Sequence, residues 1–331
     1  MTSKKKYWKQ SLLLLIALII LVMYDLTLGS YAVSLQDVFN GIFRYNETNS
    51  EEMTVHVFRF PRVMTAVFAG IALSVSGLLM QTLFQNPLAG PYVLGINSGA
   101  SLLVALSTMS SFHILGSDVG LVFSAMIGAF GAGLFILISS LYVKNKISLL
   151  LIGIVVGSFA GAMVNVIQAY ADPNNLKTFM LWSFGSLQGI EFEELGLVGG
   201  LVLIGLFASI LIIKPLNLLL LGDNAAHLLG INVRLIRLFI ILITALLTGV
   251  ITAYCGPIAF VGLVIPNFAK MIYKTANHYH LLFGSALAGA ILIVACDIAM
   301  QLLSPYLNLP LNALTALIGA PVVMWIIMRK F

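Results

Sequence analysis

Residues 59–100 read RFPRVMTAVFAGIALSVSGLLMQTLFQNPLAGPYVLGINSGA, and the apolar run inside this stretch decides the fold. Between Arg62 and Gln85 no charged side chain interrupts the run. A helix of about 20 apolar residues suffices to cross the hydrocarbon core of a bilayer. The run then meets QNPLAGP at 85–91, where two prolines, an asparagine and a glycine cannot continue a helix. The stretch therefore predicts a membrane span that ends in a stiff, irregular turn.

The remainder of the 331-residue chain repeats this pattern. Apolar residues make up 60% of it and charged residues only 9%, a composition far outside that of soluble domains. We therefore predict an all-α integral membrane protein, folded as a single transmembrane domain over residues 1–331. Hydropathy and Gly/Pro punctuation predict about ten transmembrane helices, at roughly 11–29, 62–84, 91–110, 119–142, 147–170, 193–213, 235–254, 257–273, 280–303 and 311–328.

Basic residues fall mainly on one side of the predicted bundle. If the N-terminus is cytoplasmic, the outer loops keep only Arg44, Arg59, Arg62 and Lys177 among the basic residues, whereas they carry most of the acidic ones. The positive-inside rule thus predicts that both termini are cytoplasmic. The basic residues on the cytoplasmic side account for the net charge of +5, so no nucleic-acid partner is needed to explain it.

Several predicted spans carry small residues spaced four apart. In lipid this spacing lets helix backbones approach closely, so that dispersion forces hold the helices together. We expect a tightly packed bundle at these positions, and a specific dimerisation motif is the alternative. The positions are Gly95 and Gly99; Gly153, Gly157 and Gly161; Gly196 and Gly200; and Ser285 and Gly289.

The tetrapeptide RFPR at 59–62 stands at the predicted outer end of the second span. Pro61 suits the first turn of a helix and disfavours the α region at Phe60, so the helix should begin here. Arg59 and Arg62 are then expected to face the outside. They would either anchor the helix end by snorkelling or form a docking site that steers an acidic partner.

The cytoplasmic segment 218–230, LLLLGDNAAHLLG, is predicted to form a two-turn helix. Asp223 can cap its start, and Gly230 can end it as a C′ glycine. Either this helix lies among the lipid headgroups, or it is a knob that fits a groove on a soluble partner.

A second helix break, at Gly256 and Pro257, lies between spans seven and eight, as 85–91 lies between spans two and three. Irregular backbone at membrane depth is tolerated only where it is buried in protein or lines a cavity. Broken helices at matching places in two halves indicate a translocation path. Spans two to five and seven to ten would run in opposite senses, which predicts an inverted-repeat bundle.

Asp297 is the only ionisable residue near the middle of a predicted span. Such a residue marks function by default, although groups on a neighbouring helix could satisfy it structurally. Cys255 and Cys296 lack disulfide or metal-binding spacing and are expected to be buried apolar side chains. His278 and His280 are expected to lie in a solvated loop rather than to form a metal pair.

Four stretches, in order, resemble the hallmark sequences of the FecCD-type permeases, which import ferric siderophores, haem and cobalamin. They are residues 59–100, LLGDNAAHLLGINV at 220–233, GPIAFVGLVIPN at 256–267 and LPLNALTALIGAPVVMW at 309–325. The resemblance departs at two positions. Gln301 stands where family members often carry arginine, which removes one docking charge, and Asn267 stands where histidine is common.

The resemblance implies a ten-helix permease of an ABC importer in the bacterial inner membrane. Its implied partners are a second permease, either another copy or a paralogue, two cytosolic ATPase subunits and an extracytoplasmic substrate-binding protein. The resemblance also implies three sets of functional residues: Arg59 and Arg62 for docking of the binding protein; Asn86, Pro87 and Leu88 for the cytoplasmic gate; and Gly222, Asp223, Ala225, Ala226, Leu229 and Gly230 for the helix that couples to the ATPase, within 217–231.

The chain contains no G-x-x-x-x-G-K-[ST] motif and no Gly-Lys pair, so it cannot bind ATP through a P-loop. It also lacks the G-x-S-x-G and H-E-x-x-H motifs of hydrolases. We therefore predict a transport subunit that is not an enzyme and binds no cofactor, with ATP and Mg²⁺ bound by the partner ATPase. The alternative, a secondary transporter driven by an ion gradient, would need carboxylates near the midplane, where only Asp297 qualifies.

Overall fold

The computed structural model describes residues 2–29, 31, 33–109, 118–143 and 145–330. Nearly all of them lie in helices that follow one another through short turns. The α-helices are α1 (Thr2–Thr27), α2 (Leu35–Phe43), α3 (Ser50–Thr54), α4 (Phe60–Phe84), α5 (Ile96–Met109), α6 (Asp118–Tyr142), α7 (Lys146–Ala169), α8 (Pro173–Ser183), α9 (Leu195–Leu211), α10 (Ile213–Leu219), α11 (Asp223–Leu228), α12 (Val233–Cys255), α13 (Val261–Tyr273), α14 (His278–Leu303) and α15 (Leu311–Lys330).

Seven helices in the described part of the chain are long and apolar enough to cross a membrane: α1, α4 with the turns before it, α6, α7, α9, α12 and α14. The shorter apolar helices α5, α13 and α15 occupy the remaining predicted spans. The prediction of an all-helical, multi-pass membrane protein is thereby confirmed. The count of ten crossings, the cytoplasmic termini and the inverted repeat stay predictions. Residue 110, the last of predicted span three, lies outside the described residues.

Helix α4 forms the centre of the bundle. It packs against α14, α12, α13 and α9, and most of its side chains are buried, as are those of α12 and α14. In contrast, most residues of α1, α6, α7 and α9 are not fully buried. Exposed apolar side chains are expected on helices that face lipid, whose tails are as apolar as leucine. The bundle therefore has three buried central helices and a lipid-facing periphery.

Glycines let the central helices touch backbone to backbone. A Cβ atom added to Gly70 would lie 2.3 Å from the carbonyl oxygen of Gly289, where α4 crosses α14. One added to Gly77 would lie 1.7 Å from the carbonyl oxygen of Gly262 on α13. Close packing at the predicted small-residue positions is thus confirmed at Gly289, but not at Gly161, where an added Cβ would meet nothing within 4 Å.

The helix that contains the second predicted span starts earlier than expected. A continuous helix covers Ser50–Phe84, and Phe60 has α-helical angles of φ −63° and ψ −48°. Pro61 lies in the first turn of α4, as predicted, but the expectation that it keeps Phe60 out of the α region is wrong. A π-helical turn over Val55–Arg59 explains the difference, because it opens the backbone where the proline ring would otherwise clash with the carbonyl four residues earlier.

Both predicted helix breaks are confirmed, and they touch each other. Helix α4 stops before residues 85–91, and α12 stops at Cys255, six residues before α13 begins. Within the second break, the Ile258 amide donates to the hydroxyl of Tyr92 at 3.0 Å. The Ala259 amide donates to Oδ1 of Asn312 at 3.1 Å. Side chains thus satisfy the irregular backbone, as burial at membrane depth requires.

Candidate transport and coupling sites

Four polar side chains meet where α1, α4 and α14 approach one another, and we call Asp25, Arg62, Asp297 and Gln301 the outer cluster. Arg62 donates to Asp297 Oδ1 from Nε at 2.9 Å and from Nη2 at 2.6 Å. The Asp297 side chain is fully buried, and that of Arg62 is 22% exposed. A charge-assisted, two-pronged pair of this kind satisfies a carboxylate inside the bundle. Asp297 is thus satisfied by arginine, not by asparagine or backbone groups.

Gln301 and Asp25 complete the outer cluster. Gln301 Nε2 donates to Asp297 Oδ2 at 3.2 Å and also donates to Asp25 Oδ1. Asp25 is only 1% exposed. It was not predicted, although a carboxylate inside the apolar span at 11–29 is itself a signal of a buried polar site. Gln301 is therefore a neutral amide that bridges two buried carboxyl groups.

The Arg59 side chain turns into the protein and is 8% exposed. Its guanidinium donates to the carbonyl oxygen of Leu26 at 3.0 Å and to that of Tyr31 at 2.7 Å. Leu26 lies in the last turn of α1, where carbonyl groups have no partner within the helix. Arg59 is therefore a buried group and not a freely projecting charge, whereas Arg62 remains partly exposed. The side of the membrane that the two arginines face stays a prediction.

A cavity of about 1000 Å³ lies beside these two arginines. Arg59 and Arg62 line it together with Glu191 and Glu193, so its wall carries both signs of charge. His56 also lines it, with its ring stacked at 4.3 Å from the ring of Tyr45. An acidic partner that engages the arginines would have to reach into this cavity. Such docking stays a prediction.

The predicted cytoplasmic gate, residues 86–88, forms a hydrogen-bonded turn that we call the gate turn. Asn86 Oδ1 accepts from the Leu88 amide at 2.9 Å, which is an Asx turn. Asn267 on α13 donates from Nδ2 to the carbonyl oxygen of Pro87 at 2.8 Å. Asn267 is therefore the residue that ties the gate turn to α13. Its role in gating stays a prediction.

The predicted coupling helix is α11, and its start differs from the prediction. Its N-cap is Gly222, with φ +96°, and no side chain caps the helix. Asp223 is instead the first helical residue, and its carboxylate lies 2.7 Å from Lys146 Nζ and 3.8 Å from Arg237 Nη2. The capping role predicted for Asp223 is therefore wrong, because two cations on α7 and α12 draw the carboxylate away from the helix start.

The end of α11 agrees with the prediction. Gly230 has φ +86°, its amide donates to the carbonyl oxygen of His227, and the Ile231 amide donates to that of Ala226. These two bonds define a Schellman motif with Gly230 at C′, as predicted. Ala226 is buried, whereas Leu228 and Leu229 are 87% and 57% exposed. The helix thus presents two leucines away from the bundle.

Among the described residues, no three His, Cys, Asp or Glu side chains come together as a metal site would require. Cys255 and Cys296 are buried free thiols, as expected.

Comparison with known proteins agrees with this arrangement. The sequence profile of the FecCD transport family matches residues 16–329. The hemin transport system permease protein HmuU of Yersinia pestis is 38% identical over 325 residues, which cover 96% of this chain and 94% of the relative. The Fe(3+) dicitrate transport system permease protein FecD of Escherichia coli is 35% identical over 273 residues, which cover 82% and 84%. A solved inward-facing structure assigned to the metal-chelate type of ABC transporter gives a TM-score of 0.85 at 28% identity, covering 98% of this chain and 99% of its own. The chain belongs to the FecCD transport family of membrane permeases.

Proposed function

We propose that this chain is the membrane-spanning permease subunit of a binding-protein-dependent ABC importer that carries a ferric siderophore, haem or cobalamin into the cytoplasm. Its partners are a second permease, two cytosolic ATPase subunits that bind ATP and Mg²⁺, and an extracytoplasmic binding protein, all at the bacterial inner membrane. The relatives that transport hemin and Fe(3+) dicitrate support an iron chelate as the cargo.

The observation that carries this proposal is the exposed pair of leucines on α11. A short helix that is anchored to the bundle and turns Leu228 and Leu229 outward is suited to a groove on a soluble partner. The ion pairs of Asp223 with Lys146 and Arg237 fix its orientation. A transporter driven by an ion gradient has no need of such a surface, so the ABC function is favoured over that alternative.

In the proposed cycle the loaded binding protein docks at the cavity beside Arg59 and Arg62, which we call the outer cavity. It then releases its cargo between two permeases. ATP binding closes the two ATPase subunits, and α11 transmits their movement to the gate turn. ATP can shift the conformational equilibrium only if it binds one arrangement of the assembly more tightly than the other.

Deleting the chain is expected to abolish uptake of one chelate in a panel of iron-loaded siderophores, haem and cobalamin. Uptake should return with the native chain but not with Leu228→Glu combined with Leu229→Glu, because carboxylates would be desolvated in the ATPase groove. Radiolabelled uptake and copurification of the ATPase are the measurements. Leu307→Glu, at a similarly exposed leucine near the start of α15, is the control and should restore both. Normal uptake by the α11 variant would contradict the coupling role.

Docking at the outer cavity predicts a salt-dependent role for Arg59. Arg59→Gln should slow association of the binding protein with the purified complex by up to about fivefold at low salt, because a positive charge in the cavity wall adds to the field that steers an acidic partner. Surface plasmon resonance over a range of ionic strengths would measure this. Lys177→Gln removes an exposed charge from α8 and is the matched control. If both variants associate at the native rate at every salt concentration, the docking assignment fails.

A further inference from the structure

Helix α10 stands directly before the coupling helix and is firmly joined to it. Three residues separate the two helices, and their amides at Leu221 and Gly222 donate to the carbonyl oxygens of Leu218 and Leu219 at 3.0 and 3.1 Å. Leu216 and Leu219 are buried in the bundle. A displacement of α11 therefore reaches α10 instead of being absorbed in a loose linker.

One hydrogen bond connects the end of α10 directly to the gate. Gln85 donates from Nε2 to the carbonyl oxygen of Leu219 at 2.9 Å. Gln85 ends α4 in the left-handed conformation, with φ +49°, and is followed at once by Asn86, the first residue of the gate turn. The last residue of α10 is thus hydrogen-bonded to Gln85, the residue immediately before the gate turn.

A second connection runs through His278, at the start of α14. This histidine is 1% exposed, so the expectation of a solvated loop is wrong. Its Nδ1 lies 2.8 Å from Asn217 Oδ1 on α10, and its Nε2 lies 2.7 Å from Thr82 Oγ1 in the last turn of α4. In a neutral imidazole, Nδ1 donates to Asn217 and Nε2 is an acceptor. The Thr82 hydroxyl that faces Nε2 has one proton, which it shares between Nε2 and the carbonyl oxygen of Leu78 at 2.8 Å. Asn217 Oδ1 also accepts from the His278 amide at 2.8 Å.

Both connections are hydrogen bonds that lie beside a cavity. A cavity of about 370 Å³ lies between the segments and is lined in part by Thr82, Leu220 and His278. Apolar packing also joins α10 to α4, because Ile213 and Leu78 share one buried cluster. Dispersion contacts are non-directional, so the hydrogen bonds beside the cavity fix the position of the α4 end relative to α10. On its far side the gate turn is hydrogen-bonded to α13, where Asn267 donates to the carbonyl oxygen of Pro87.

We propose that Gln85, Asn217 and His278 are positioning residues that transmit the movement of the coupling helix to the gate turn. This inference rests on the proposed function as an ATP-driven importer. Gln85 acts on the gate turn directly, and Asn217 acts on α4 through His278. Coupling between two sites in a protein typically amounts to a factor of about 5 to 150, so loss of both links should reduce transport within that range.

Uptake is measured in cells that carry the native or variant chain with its ATPase and binding protein. ATP hydrolysis and gate labelling are measured in inside-out membrane vesicles, whose cytoplasmic face is exposed to the medium. Gln85→Ala combined with Asn217→Ala cuts both links. Leu88→Cys in the gate turn reports gate opening by its rate of reaction with a membrane-impermeant maleimide, with and without ATP and vanadate. The two native cysteines are buried and give little background. Gln10→Ala is the matched control, because it removes a bond between α1 and the Ile272 carbonyl oxygen, away from both links.

The double variant is expected to hydrolyse ATP at nearly the native rate, to lose about 5- to 150-fold of the ATP-driven uptake, and to show no effect of ATP on maleimide labelling. Gln10→Ala should behave as the native complex in all three measurements. A parallel fall of hydrolysis and uptake, or a native response of the labelling, would overturn the assignment. If the native complex itself shows no ATP-dependent uptake, the proposed function fails and this inference falls with it.

Discussion

Replacing Arg62 with leucine is expected to destabilise the protein by about 3–5 kcal/mol, the usual cost of removing one partner from a buried ion pair. The variant leaves the fully buried Asp297 carboxylate without the guanidinium that pairs with it. Arg62→Lys should cost less, because it keeps the charge but loses the two-pronged geometry. Thermal denaturation in detergent micelles, read by a thiol-reactive dye at Cys255 and Cys296, is the measurement.

The double variant Arg62→Leu with Asp297→Leu separates the charge from the packing. It should regain most of the lost stability, since well-packed apolar residues often replace a buried ion pair without net cost. If the thermal midpoint of Arg62→Leu lies within about one degree of the native midpoint, the outer cluster does not stabilise the fold in the way its geometry indicates.

Gly77→Ala is expected to have an effect of similar size by a different route. The new Cβ would lie 1.7 Å from the carbonyl oxygen of Gly262, and Cβ atoms essentially never approach within 3.0 Å of another atom, so α4 and α13 would have to separate. The atom that clashes with the new Cβ belongs to the helix backbone, so no side-chain rotation can relieve the contact. Overpacking of this kind costs about 3 kcal/mol or more. The amount of folded protein in the membrane and its thermal midpoint should both fall sharply.

Gly161→Ala is the control for this prediction. Gly161 is also helical, but an added Cβ there meets nothing within 4 Å. The substitution should be neutral or stabilising by up to about 1 kcal/mol, because alanine favours helix over glycine. Equal behaviour of the two variants would mean that the close approach of α4 and α13 is not required for folding.

Local signals in the sequence predicted the helices well. Long apolar runs located the spans, and the Pro/Gly clusters at 85–91 and 256–257 located both breaks, because hydropathy and backbone restrictions act within a few residues. Gly230 was correctly predicted to end α11 for the same reason. An overlooked local signal is the Asp172–Pro173 pair, which caps and starts α8.

Contacts between distant segments could not be predicted in this way. Arg62 and Asp297 are 235 residues apart, and nothing near either one reveals the other. Arg59 appeared to be a free surface charge, because the carbonyl oxygens that bind it belong to the end of α1. The search for small residues four apart also missed Gly70 and Gly77, whose spacing of seven places both on the same face of α4 two turns apart.

The position of Asp25 in the first helix also bears on how the protein is made. Its hydrogen-bond partner Gln301 follows 276 residues later, an interval of roughly 14 to 55 s at about 5–20 residues synthesised per second. An aspartate at the centre of an inserting helix costs about 2.5–3.5 kcal/mol, and less towards the ends. The hydrogen bond that satisfies Asp25 in the folded protein therefore cannot form until α14 has been synthesised.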